Sequence, residues 1–76
     1  MTEKITEAEF EVMDVLWGEA PLAAADVAAR LHEKKRWSAQ TVKTLLSRLV
    51  EKGAAGAEPE GRRYLYRPLV TRNAYA

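Results

Sequence analysis

The spacing of apolar residues changes once along this chain of 76 residues, at Gly53. Before Gly53, apolar side chains recur every three or four positions, which is typical of helices that bury one face. After it, residues 54–58 are weakly extended, residues 59–61 (Pro-Glu-Gly) are a turn signal, and residues 62–67 alternate and are rich in aromatic side chains. The chain is therefore predicted to be mainly α-helical, with a small β-hairpin after the helices.

The first helix is predicted at about 7–17. Thr6 and Glu9 have the T-x-x-E spacing of a capping box, in which each side chain accepts a hydrogen bond from the other residue's backbone amide. Gly18 is expected to stop this helix, because glycine is favoured just after the last helical turn.

The second helix is predicted at about 24–32, after a short extended piece at Pro21-Leu22. Its N-terminus is weak, because Ala23 offers no capping oxygen. A charged connector, residues 33–37, is expected to join it to the third helix.

The third helix is predicted from its N-cap, Ser38, to about Lys52, with Gly53 as its stop. One face is aliphatic and consists of Val42, Leu45, Leu46, Leu49 and Val50. The opposite face offers hydrogen-bonding side chains of short or medium reach, namely Gln40, Thr41, Thr44, Ser47 and Arg48. An ordinary solvent-exposed face would be richer in Glu and Lys, so this composition favours a surface that binds a polar partner.

The charges are unevenly divided, although the formal net charge is only +1. Residues 1–33 carry eight acidic and two basic side chains, whereas residues 34–76 carry ten basic and three acidic ones. A bipolar small domain indicates that one face is directed at a polyanion. A chance division of solvated charges is the alternative interpretation at this point.

The order of three helices and a hairpin is that of a winged helix-turn-helix domain, in which the third helix enters the major groove of DNA and the hairpin flanks it. Nine residues are therefore predicted to bind double-stranded DNA: Ser38, Gln40, Thr41, Lys43, Thr44, Ser47, Arg48, Arg62 and Arg63. Gln40 and Arg48 have the chemistry to read adenine and guanine edges, and Lys43 is expected on phosphate. A solvated helix face and a charged hairpin tip without function are the plain alternatives.

The remaining aromatic and apolar residues are assigned to the interior. Trp17 and Trp37 are expected at the core or its edge, and Tyr64 and Tyr66 are expected to pack on the helices from one face of the hairpin strand. One contiguous core is predicted from Val12, Leu16, Val27, Leu31, Leu45, Leu49 and Tyr66. The cluster at residues 34–36 (Lys-Lys-Arg) either grips phosphates or is a solvated charged turn.

Composition argues against several other classes of protein. There is no cysteine and only one histidine, His32, so no disulfide, metal site or cofactor is expected. No set of side chains has the pattern of a catalytic triad or a carboxylate pair, so the chain is not expected to be an enzyme. No apolar run is long enough to span a membrane and no signal peptide is evident, so a cytoplasmic protein is expected.

Three segments, in this order, resemble the penicillinase-repressor family. Segments 5–17 (ITEAEFEVMDVLW), 37–49 (WSAQTVKTLLSRL) and 61–70 (GRRYLYRPLV), together with Lys52-Gly53, are similar to the family's opening, its recognition helix and its wing. The resemblance implies a transcriptional repressor that acts as a dimer on a dyad operator.

The resemblance also implies a domain organisation. Residues 1–70 are expected to be the winged-helix DNA-binding domain, and residues 71–76 the start of a C-terminal helix or linker. A helical dimerisation domain would follow in the family, so homodimers are expected of the full-length protein and a monomer of this chain. Residues 54–57 (Ala-Ala-Gly-Ala) depart from the family pattern, because they are smaller than usual for the first wing strand, and this implies modest stability.

Two functions remain open after this reasoning. The first is a sequence-specific double-stranded DNA-binding domain of a transcriptional repressor, and the alternative is a winged-helix protein–protein interaction module that does not bind DNA. The polar third helix and the basic hairpin favour the first. Binding to duplex DNA that weakens steeply with salt would separate the two, because phosphate contacts release counterions.

Overall fold

Three helices and a three-stranded antiparallel sheet share one hydrophobic core in the computed structural model, which describes residues 5–71. In chain order the elements are α1 (Glu7–Gly18), β1 (Leu22–Ala23), α2 (Ala24–Lys35), α3 (Ala39–Glu51), β2 (Ala55–Glu60) and β3 (Arg63–Pro68). The strands lie in the order β1-β3-β2, and the β2–β3 hairpin is the wing. The predicted winged helix-turn-helix fold is confirmed.

Helix α1 begins at the predicted capping box. The backbone amide of Thr6 donates to Oε1 of Glu9 at 2.8 Å, and the amide of Glu9 donates to Oγ1 of Thr6 at 3.2 Å. The predicted stop is one residue early, because Gly18 is still helical and Glu19 is the C-cap. The amide of Glu19 donates to the carbonyl of Val15 at 2.9 Å, which closes the last turn.

Helix α2 is longer than predicted. It runs to Lys35, so most of the predicted connector, residues 33–37, is helical. Nζ of Lys34 and of Lys35 lie 3.5 Å and 3.7 Å from the carboxylate of Glu11 on α1, and these contacts support the extra turn. Arg36 ends the helix in the left-handed conformation, at φ 62°.

The extended piece predicted at Pro21-Leu22 is strand β1, which the structure sets one residue later. β1 pairs with β3, with Leu22 opposite Tyr66, and no local pattern in the sequence indicated this pairing. Ala23 lacks a capping side chain, as predicted, but its backbone amide donates to Oδ2 of Asp26 at 3.3 Å. The start of α2 is therefore held by the sheet and by one carboxylate.

Helix α3 has the predicted bounds. Oγ of Ser38 accepts a hydrogen bond from the amide of Thr41 at 3.2 Å, and Gly53 follows the C-cap at φ 78°. Four residues of the predicted aliphatic face are buried, namely Val42, Leu45, Leu46 and Leu49. The fifth, Val50, is 38% exposed, so the buried face is narrower than predicted.

The wing turn is tighter than the turn signal at residues 59–61 predicted. β2 continues through Pro59 to Glu60, and Gly61-Arg62 forms the turn, with Gly61 at φ 64°. A two-residue hairpin turn favours glycine at such a position, since it requires positive φ. Proline is tolerated in β2 because β2 is an edge strand.

Most of the predicted core is confirmed. The buried members are Val12, Leu16, Val27, Leu31, Leu45 and Leu49, whereas Tyr66 packs against them while partly exposed. Ala54 and Ala55 are also buried, which the sequence did not predict. A Cβ added at Gly56 would lie 3.2 Å from Cδ2 of Leu69, so small residues at the start of the wing allow this close approach.

Trp17 and Trp37 pack against the core, as predicted. The indole N–H of Trp17 donates to the carbonyl of Val70 at 2.8 Å, which ties the segment after the wing to α1.

Two further predictions concern the C-terminal segment and membrane-spanning helices. Residues 72–76, most of the predicted start of a C-terminal helix, lie outside the described residues, and Thr71 belongs to no helix or strand. Within the part of the chain that is described, no helix is both long and apolar enough to cross a membrane.

Candidate nucleic-acid interface

All nine residues predicted to bind DNA are exposed. Seven of them lie on α3 or at its N-cap, and Arg62 and Arg63 lie at the wing turn. The two groups meet at a cleft of 440 Å³ between α3, the start of α2 and the wing, which Lys43, Ser47, Arg62 and Arg63 all line. The fold therefore brings residues that are far apart in sequence to one surface.

An open groove of 310 Å³ follows the exposed face of α3. Its lining residues are Ser38, Gln40, Thr41, Thr44, Leu45 and Arg48. The hydroxyls of Ser38 and Thr41 lie 3.1 Å apart, and Oγ1 of Thr44 donates to the carbonyl of Gln40 at 3.0 Å. Each hydroxyl oxygen keeps acceptor capacity, and the side chains of Gln40 and Arg48 have no hydrogen-bond partner among residues 5–71. The groove thus presents free donors and acceptors of the kinds that read base edges.

Ion pairs divide the basic side chains of the described residues into two sets. Those that lie within 4.0 Å of a carboxylate are Arg30, Lys34, Lys35, Lys52, Arg63 and Arg67. Those with no such partner within residues 5–71 are Arg36, Lys43, Arg48 and Arg62. Three members of the unpaired set belong to the nine predicted DNA-binding residues.

The pairing also distinguishes neighbours in the sequence. Lys34 and Lys35 bond to α1, which favours a structural role for them over phosphate binding. On the wing, Nη2 of Arg63 lies 3.6 Å from Oε1 of Glu60, whereas Arg62 in the turn has no acidic partner within the described residues. The two wing arginines are therefore not equivalent, and Arg62 is the freer cation.

One buried ion pair was missed by the sequence analysis. Glu9 is fully buried, and its Oε1 lies 2.6 Å from Nζ of Lys52 at the end of α3. Burial raises the pKa of Glu9. The hydrogen bonds from Lys52 and from the amide of Thr6 lower it, and so does the positive charge of Lys52. Together they outweigh burial and hold the pKa of Glu9 below its ordinary value. The capping box accounts for Glu9 and Thr6, but no local pattern indicates a partner 43 positions away.

The described residues offer no metal centre. No three His, Cys, Asp or Glu side chains among them are placed to hold an ion together. The candidate interface presents hydrogen-bonding and cationic side chains.

Residues 5–76 match the model of a protein family described as penicillinase repressor. The penicillinase repressor of Bacillus licheniformis is 36% identical to this chain over 72 residues, which are 95% of this chain and 56% of that protein. The chain spans about half the length of the curated relatives it matches.

Two solved structures are similar over the whole chain. The solution structure of the DNA-binding domain of the repressor BlaI has a TM-score of 0.87 at 35% identity, covering 100% of this chain and 95% of that one. The solution structure of the Bacillus licheniformis BlaI monomeric form, in complex with the blaP half-operator, has a TM-score of 0.83 at 34% identity, covering 100% and 93%.

Proposed function

The chain belongs to the penicillinase repressor family, and from this premise we propose that it is the sequence-specific double-stranded DNA-binding domain of a transcriptional repressor acting on a dyad operator. The observation that carries the proposal is the position of the unpaired cations. Lys43, Arg48 and Arg62 have no acidic partner within residues 5–71, and they lie on α3 and the wing turn. The protein acts by occupying DNA and not by catalysis, it uses no cofactor, and it works in the cytoplasm, where its operator is.

Helix α3 is proposed to read the base sequence. Gln40, Thr41, Thr44 and Arg48 share the open groove on its exposed face, so they meet base edges when the helix lies in the major groove. Arg48 carries the guanidinium that pairs best with the O6 and N7 atoms of guanine. Ser38 at the helix N-terminus and Ser47 complete the contact surface of this helix.

The wing is proposed to contact the DNA backbone. Lys43 faces the same cleft as Arg62 and Arg63, so the helix and the wing hold the sugar–phosphate backbone between them. Contacts of this kind fix the register of the protein on the duplex and carry no sequence information themselves. The solved structure of the relative BlaI with a half-operator supports DNA binding by a domain of this fold.

Assembly is part of the proposal. Residues 1–70 form the DNA-binding domain, and the full-length protein pairs as a homodimer through a region beyond them. The 76-residue chain is then a monomer that binds one half-site weakly, since linking two reading heads makes the second contact intramolecular. Analytical ultracentrifugation of this chain without DNA tests the point, and a stable dimer would contradict it.

The function is tested by fluorescence anisotropy of a short random-sequence duplex titrated with the chain at several salt concentrations. Three phosphate contacts, from Lys43, Arg62 and Arg63, give a slope of about −3 in log K against log salt. A duplex enriched from a randomised library should bind more tightly than the random duplex, because α3 reads bases. Absence of binding at low salt would favour the protein-interaction module instead.

A further inference from the structure

Tyr64 does not lie where the sequence predicts. It was expected to pack on the helices together with Tyr66, yet Tyr64 is 56% exposed while Tyr66 packs against the core. The sheet accounts for the difference. β1 has two residues and pairs with Leu65 and Tyr66, so Tyr66 has strand neighbours on both sides, whereas Tyr64 is opposite Pro59 alone. Tyr64 therefore stands on the part of the wing that projects beyond the short strand β1.

Tyr64 borders the cationic cleft between α3 and the wing. Tyr64 lines it together with Lys43, Ser47 and Arg62. Lys43 and Arg62 have no ion pair, and the phenol hydroxyl has no hydrogen-bond partner, among residues 5–71. A neutral donor and two uncompensated positive charges thus face one space of 440 Å³.

We infer that Tyr64 is a further DNA-contacting residue, which donates its hydroxyl to a backbone phosphate held between α3 and the wing and packs its ring on the adjoining deoxyribose. The inference rests on the proposed function. Tyrosine hydroxyls are among the donors that bind DNA phosphates. Lys43 and Arg62 supply the charge that draws the phosphate into the cleft, and Tyr64 fixes its position.

The same ring borders a second surface, which is more apolar. This surface is a groove of 250 Å³ that Tyr64 shares with Val50, Ala57 and Tyr66. Val50 is 38% exposed, has no polar side-chain group and lines this groove but not the cationic cleft, so it gives a matched variant. A partner that docks through the apolar groove needs Val50 and the ring, whereas a phosphate needs the hydroxyl.

The test compares Tyr64→Phe, Tyr64→Ala and Val50→Ala by anisotropy on the random-sequence duplex, each over a range of salt. Tyr64→Phe removes one hydrogen bond to a charged group, so its Kd is expected to rise about 10-fold or more. Tyr64→Ala also removes the ring and should weaken binding further. Because the phenol is neutral, both variants should keep the wild-type salt slope, and Val50→Ala should keep the wild-type Kd. Circular dichroism and the thermal midpoint check that each variant is folded.

Other outcomes separate the inference from the proposed function. A wild-type Kd in both Tyr64 variants, with steep salt dependence retained, overturns the role of Tyr64 and leaves the DNA-binding function standing. Equal losses in Tyr64→Ala and Val50→Ala, with no effect of Tyr64→Phe, overturn the phosphate contact in favour of an apolar one. A wild-type chain that does not bind duplex DNA removes the proposed function itself.

Discussion

Helix α3 carries positive charge in two different settings. Where it ends, at the α1–α3 junction formed by Glu9 and Lys52, the lysine side chain is 19% exposed and bonds to a buried carboxylate. On its open face, Lys43 and Arg48 have no acidic partner within residues 5–71. A buried pair fixes two helices to each other, whereas an exposed unpaired cation stays available to a polyanion. Ion pairing thus distinguishes the structural cation Lys52 from Lys43 and Arg48, which stay available to a partner.

On the α1–α2 surface, solvated basic residues are also held by ion pairs. Lys34 and Lys35 belong to the basic part of the sequence, yet they bond to the acidic face of α1. The excess of acid in residues 1–33 is thus partly compensated within the fold, and three of the four unpaired cations among residues 5–71 lie on α3 and the wing turn.

The largest effect is expected from Leu49→Ala. Leu49 is fully buried on α3, so the substitution should lower the free energy of unfolding by about 2–5 kcal/mol through lost burial and a cavity. The total free energy of unfolding of a small domain is typically about 5–15 kcal/mol, so this loss could unfold the protein. Unfolding would abolish both the Glu9–Lys52 pair and the open face of α3. Val50→Ala on the same helix is the matched control, because Val50 is 38% exposed. Urea denaturation measures both variants, and similar small losses would mean that the buried face of α3 is wrongly assigned.

The next effect is expected from Lys52→Met, which breaks the α1–α3 junction alone. The variant leaves the buried carboxylate of Glu9 without its cation, and Oε2 of Glu9 already lacks a hydrogen-bond partner in the described part of the chain. The expected loss of unfolding free energy is about 2–3 kcal/mol, below that of a fully buried pair because Lys52 remains partly solvated. The double variant Glu9→Gln/Lys52→Met should recover part of this loss. A single variant as stable as wild type would show that the pair is not structural.

The same junction predicts a dependence on pH. The pKa of Glu9 is lowered in the folded state, so its contribution to stability is present above the unfolded pKa and is lost as the pH falls through the folded pKa. Thermal midpoints of the wild-type chain should therefore fall in acid, and Glu9→Gln should flatten part of that fall. Parallel curves for the two proteins would contradict the role of the carboxylate.

On the open face of α3, Arg48→Ala is expected to act on specificity. Loss of a guanine contact should weaken binding to an enriched duplex by about 1–3 kcal/mol, with a much smaller effect on random sequence. Lys43→Ala should weaken binding to both duplexes alike, because a phosphate contact does not depend on sequence. Anisotropy on the two duplexes makes this comparison. Equal losses for Arg48→Ala on both would make Arg48 a phosphate contact.

The helices were predictable because their signals are local. The capping box at Thr6 and Glu9, the N-cap at Ser38 and the stop at Gly53 each depend on residues within one turn, and the structure confirms all of them. The exposed face of α3 followed from hydrophobic spacing for the same reason. Which of its residues bind DNA stays a prediction.

The stop at Gly18 and the turn at residues 59–61 were misplaced locally, but the larger errors arose where distant residues decide the outcome. The pairing of β1 with β3 joins residues more than half of the chain apart, and it gives Tyr66 strand neighbours on both sides, whereas Tyr64 stays exposed. The partner of Glu9 is likewise remote in sequence. The burial of Ala54 and Ala55 was also missed, because strand propensity does not show which residues pack against the core.

The smallest effects come from a matched pair of surface cations, one paired and one unpaired. Lys34→Ala removes solvated contacts to α1, so it should cost at most about 1 kcal/mol of unfolding free energy and leave the DNA Kd unchanged. Arg62→Ala removes a cation with no acidic partner among residues 5–71, so it should leave stability unchanged and flatten the salt slope by about one unit. Urea denaturation and salt-dependent anisotropy on both variants measure the two quantities side by side. If Lys34→Ala flattened the salt slope as much as Arg62→Ala, ion pairing would not distinguish the structural cation from the DNA-binding one. The distinction between paired cations on the α1–α2 surface and unpaired cations on α3 and the wing turn would then be wrong.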